Sequence, residues 1–89
     1  MSRRHEIEDK ALEQAIDQVG LWLGKRIQEK GCGSFSSSHE IRGVLDDEFE
    51  ELKEALHDKD MNQIYWELRD IAVGCIFSMA CIQQGTLDW

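Results

Sequence analysis

The sequence predicts an all-α fold: a single domain over residues 1–89 with three helices, the second and third folded back as an antiparallel hairpin, assembling into an oligomeric helical bundle. Three observations predict it. Apolar residues recur at spacings of three and four along most of the chain; proline is absent, so no helix is interrupted; and glycine, serine and aspartate cluster between the periodic segments.

The first helix is expected over roughly Glu6 to Glu29. Ala11, Leu12, Ala15, Ile16, Val19, Trp22, Leu23 and Ile27 fall there on one apolar stripe. It stops at Gly31-Cys32-Gly33-Ser34-Phe35-Ser36-Ser37-Ser38, a loop by composition. Ser37 followed by Glu40 reads as a capping box, and the second helix is expected from about Ser38 to His57. Asp58 and Asp60 then punctuate the chain, with Asp60 and Gln63 forming a second cap. The third helix runs from about Met61 to Gln84 and ends at Gly85.

At 89 residues the chain lies near the lower end of the range in which one core stabilises itself, so partner chains are expected. Ile71 to Ile82 is apolar nearly all round and must be covered on every side, which predicts a homodimer or homotetramer built through the third helix. That run is also too short to span a bilayer, and the charged N-terminus lacks the apolar core of a secretory signal. Three cysteines cannot all pair within one chain, and together these features suggest a cytoplasmic protein. A net charge of −8 repels phosphate backbones, arguing against nucleic acid as a partner. An acidic protein that handles a phosphate compound needs metal ions to bridge the two.

The acids are not spread evenly. On the second helix Ile41, Val44, Leu45, Phe49, Leu52, Ala55 and Leu56 define the apolar stripe; Glu48 falls inside it and Glu51 at its edge. A carboxylate on an apolar face is costly unless it is paired, hydrogen-bonded or bound to a metal. On the third helix Glu67 and Asp70, three residues apart, share a face beside the main stripe. In a hairpin turning around Asp58 to Asp60, Glu48, Glu51, Glu67 and Asp70 converge. Hard oxygen ligands of this kind suit Mg²⁺, or Mn²⁺ in its place.

The run Glu48-Phe49-Glu50-Glu51-Leu52-Lys53-Glu54-Ala55-Leu56, with fifteen residues between Glu51 and the Glu67-Leu68-Arg69-Asp70-Ile71 segment, resembles the E-x-x-E and E-x-x-D motifs of the MazG-like all-α nucleoside triphosphate pyrophosphohydrolases. The resemblance covers about Ile41 to Ile82. It implies hydrolysis of a ribo- or deoxyribonucleoside triphosphate substrate to the monophosphate and pyrophosphate, as in nucleotide-pool house-cleaning. By position it makes Glu48, Glu51, Glu67 and Asp70 the Mg²⁺ ligands, with Glu48 or Glu51 as the catalytic base. It also implies that the first helix and its loop enclose the base, for which Trp22, Phe35 and His39 are the candidates.

Each of those three has a plainer alternative: Trp22 as core, Phe35 as a plug for the loop, and His39 as an exposed first-turn residue. Lys25, Arg26, Arg42 and Lys53 are candidate phosphate contacts, although Lys and Arg on solvated faces usually serve only solubility. Many members of the family continue into a fourth helix bearing phosphate-binding groups. Here the sequence ends at Trp89, so the expectation is that a neighbouring subunit supplies them or that the chain is a minimal or inactive relative. The alternative function is a non-catalytic helical oligomer that binds a nucleotide or a partner protein.

Overall fold

A computed structural model describes residues 4–88 and contains three helices with no strand among them: α1 (Asp9–Lys30), α2 (Ser38–Asp58) and α3 (Met61–Gln84). The bounds of α3 are those expected. The start of α1 falls three residues later than the apolar pattern suggests, because Glu8 is extended and offers no side-chain cap. Its carbonyl instead accepts the N–H groups of Ala11 and Leu12.

Local chemistry fixes the helix ends. The Ser37 hydroxyl accepts the Glu40 N–H at 3.3 Å, as the capping box requires. The return bond differs: the Glu40 carboxylate takes the Ser36 hydroxyl at 2.9 Å rather than the Ser37 backbone. At the other end of α2, Lys59 closes the helix in the left-handed conformation (φ 56°), and Asp60 caps α3 by accepting the Gln63 N–H at 3.1 Å.

α3 is the central element. It packs along α2 on one side and against α1 on another, whereas α1 stands off from α2 and leaves a cavity between them. Below Gly85 the chain turns back to the loop before α2. Asp88 exchanges backbone hydrogen bonds with Ser36 and Ser38, and the Thr86 and Ser34 hydroxyls meet at 2.6 Å.

The core is thin. Leu52, Ala55, Val73 and Cys81 are its buried hydrophobic residues, and α1 contributes none. The stripe on α1 is covered only in its second half, where Val19, Trp22, Leu23 and Ile27 are half-buried; Leu12 and Ile16 are exposed. Ile76, Met79 and Ile82 of α3 are exposed as well. The radius of gyration, 15.3 Å, exceeds the roughly 12 Å expected of a compact chain this long. Among the described residues no helix is long and apolar enough to cross a membrane.

Candidate metal centre

Glu48 on α2 and Glu67 and Asp70 on α3 present carboxylate oxygens that all lie within 4.8 Å of one another. Helix geometry brings them there. Glu67 and Asp70 are neighbours on one face of α3, and α2 packs on that face with Glu48 inside its apolar stripe. Glu67 is buried, and Glu48 and Asp70 are half-buried.

Two of the three acids have identifiable supports. The Gln63 side-chain amide, one turn before Glu67, donates to Glu67 Oε1 at 2.7 Å. Arg69 donates to Asp70 Oδ1 from Nε and Nη2, at 3.4 and 3.3 Å. Glu48 Oε2 and Glu67 Oε2 remain buried without a hydrogen-bond partner. A buried carboxylate oxygen with nothing to accept from costs free energy, so two such atoms in one cluster are unsatisfied chemistry. A hard divalent cation would satisfy both, and an all-oxygen set of carboxylates is the donor set that Mg²⁺ or Mn²⁺ takes. The residues therefore fit the ion.

Electrostatics points the same way. Burial, and then the negative charges of Asp70, Glu51 and Glu67, hold the Glu48 carboxyl above the ordinary carboxylate range, with Arg26 opposing them. Glu51 stands outside the triad and is exposed. A hydrogen bond shared with Glu67, followed by the charge of Glu67, raises its proton affinity too. Of the four acids expected to converge, three form the compact group, and Glu51 meets it through Glu67.

Glu48 and Asp70 border the cavity between α1 and the other two helices, which has a volume of about 250 Å³. Trp22 and Phe35, both singled out in the sequence, line it, and Phe35 stands edge-on to Phe77 at 5.1 Å. Arg26 and Lys30, one turn apart on α1, bring positive charge to the same wall. Glu51 and Glu67 border a second, open depression near the α2–α3 turn, with Glu54, Asp58 and Asp60.

The other sequence candidates lie elsewhere. His39 is exposed in the first turn of α2. Arg42 pairs with Asp46 at 3.5 Å and Lys53 with Glu50 at 3.1 Å, all four side chains being well solvated, and neither cation lines the cavity. Gln63, read from the sequence only as part of the Asp60 cap, and Arg69 and Lys30 are site residues that the sequence does not single out. The spacing of Gln63 four residues before Glu67 was the available signal for the first. Compared with family models, curated proteins and solved structures, the chain matches none.

Proposed function

We propose that the protein is a Mg²⁺-dependent nucleoside triphosphate pyrophosphohydrolase of the MazG-like all-α kind, cytoplasmic, with α2 and α3 as an antiparallel hairpin inside a homo-oligomer. One observation carries the reading: three carboxylates lie within 4.8 Å of one another, two of them with orphaned buried oxygens, and Glu48 and Asp70 of this group stand on the edge of a cavity that has aromatic walls and a basic edge. The E-x-x-E and E-x-x-D spacing of the same acids supports it independently of the geometry.

In this reading Glu48, Glu67 and Asp70 hold the ion. Mg²⁺ bound there supplies the charge that neutralises the triphosphate and polarises the attacked phosphorus. Trp22 and Phe35 take the base between apolar faces, and Arg26 and Lys30 meet the phosphate oxygens. Glu51, outside the triad and exposed beside Glu67, accepts the proton of the attacking water. The water oxygen bonds to the α-phosphorus as the bond to the bridging oxygen breaks, leaving the monophosphate and pyrophosphate.

The assembly is supported by surface area. The chain exposes 7475 Å², against about 5,400 Å² for a compact monomer of this mass, an excess of roughly 2,000 Å². Buried on each of two chains, that excess would total roughly 4,000 Å², within the range of obligate homodimer interfaces. The exposed apolar side chains of α3 and of the first half of α1 are where the partner sits in this reading. Sedimentation should give a dimer or tetramer, and Met79→Glu should dissociate it.

The test of activity is pyrophosphate release from a panel of ribo- and deoxyribonucleoside triphosphates with Mg²⁺, native protein against Glu48→Gln. Metal-dependent release that disappears in the variant is the expected result. The same apolar surface favours a second reading, a non-catalytic oligomer that binds a nucleotide or a partner protein. Folded, oligomeric protein that binds nucleotide and releases no pyrophosphate would establish that one instead.

A further inference from the structure

An arginine on a solvated helix face normally keeps its charged head in water, and Arg69 does not. Its side chain is 16% exposed. The guanidinium carbon lies 3.8 Å from the ring centroid of Trp22 on α1 and 4.5 Å from that of Trp66 on α3. Both its Nε and Nη2 donate to a single oxygen of the next residue, Asp70. Successive residues on a helix diverge by about 100°, so helix spacing alone does not bring such a pair together. Here the two indoles hold the planar group where it reaches back to the carboxylate. One side chain thus touches both a wall of the cavity, through Trp22, and an acid of the cluster.

We propose that Arg69 is a positioning residue: it fixes the Asp70 carboxylate in the orientation that ligates a divalent cation, and through Trp22 couples that ligand to the α1 wall of the cavity. This rests on the metal reading above. Charge and geometry make opposite demands at this position. A cation beside the cluster repels an incoming Mg²⁺, so if Arg69 acted only as a charge, its removal would tighten Mg²⁺ binding. Partners that orient metal-ligating carboxylates act in the other direction, their loss typically costing about 10- to 100-fold in affinity.

The experiment is calorimetric titration of the whole chain with Mg²⁺, with indole fluorescence followed in parallel, for the native protein, Arg69→Lys and Arg69→Met. Arg69→Lys keeps the charge and loses the two-nitrogen grip and the planar stack, so it is the deciding variant. The expected result is Mg²⁺ affinity weakened about tenfold or more in Arg69→Lys, and loss of the fluorescence change that accompanies Mg²⁺ binding to the native protein. Arg69→Met should weaken binding as well, despite having one positive charge fewer. Native-like affinity in Arg69→Lys overturns the positioning role while leaving the metal site intact. A native protein that binds no Mg²⁺ overturns the site and this inference together. Helical circular dichroism of the metal-free proteins checks folding, and Arg69→Lys carries the test alone if Arg69→Met does not fold.

Discussion

Replacing Glu48 by glutamine removes one of three mutually repelling charges while keeping the shape of the side chain. Two unit charges 4.8 Å apart, the outer limit for the ligand oxygens, repel by about 0.9 kcal/mol at the dielectric constant of water and about 3.5 kcal/mol at an effective value of 20. Glu48 is half-buried beside an open cavity, so solvent screens part of this repulsion and roughly 1–2 kcal/mol is the relief expected. In a chain of this size that corresponds to a melting temperature higher by roughly 5–10 °C in the variant. This holds only without metal. With Mg²⁺ at a hundredfold excess over its dissociation constant, the native protein gains about 2.7 kcal/mol that the variant lacks, and the order of stabilities inverts. The assay is thermal denaturation by circular dichroism at one protein concentration, first in chelator and then in millimolar Mg²⁺ or Mn²⁺. A variant less stable than the native protein in chelator, with both proteins shifted equally by metal, would show that the acids do not form a cation site.

Three further outcomes are expected. Glu48 and Glu51 both bind their protons more tightly in the folded chain than at the ordinary value of 4.5, so the stabilisation they give is complete below that pH. It is lost as pH rises through the raised values; metal-free melting curves from pH 4 to 8 should show this fall, and Glu48→Gln should show a shallower one. Lys59 holds a left-handed conformation that costs a side chain about 1 kcal/mol, so Lys59→Gly should raise chemical-denaturation stability by about that much without altering the helix content. Because so little of α1 is covered within one chain, its melting temperature should climb with protein concentration, a dependence Met79→Glu abolishes.

The helices were legible because their signals are local. Ser37, Asp60 and Gly85 are read from a few neighbouring residues, and α3 has the bounds that Asp60 and Gly85 set. Glu48 stood out because a carboxylate on an apolar stripe demands a partner, and the structure gives it Glu67 and Asp70 within reach. Glu51 was harder: three residues from Glu48, it projects from the adjacent turn, far enough around α2 to meet Glu67 from the solvent side. What remained hidden depends on the approach of α1 to α3. Periodicity marks Trp22 as apolar-facing, but only the packing of the two helices sets it over Arg69, and only that contact draws Arg69 to Asp70. Leu12 and Ile16 likewise share the apolar stripe of α1 and yet stay exposed in the single chain.

The return of the segment after Gly85 to the loop before α2 bears on how such a sequence can change. α2 and α3 are tied at one end by the turn at Lys59 and Asp60, and at the other by the bonds of Asp88 to Ser36 and Ser38. Deleting one residue from either helix rotates everything beyond it by about 100° and moves it by about 1.5 Å. Such a deletion before Glu48 would swing the segment from Ser34 to Ser38 away from Thr86 and Asp88; one between Glu48 and the turn would turn Glu48 away from Glu67. Single-residue insertions and deletions should therefore be tolerated before Asp9 and around Gly31 to Gly33, while between Ser34 and Asp88 length can drift only by paired changes that restore both ties.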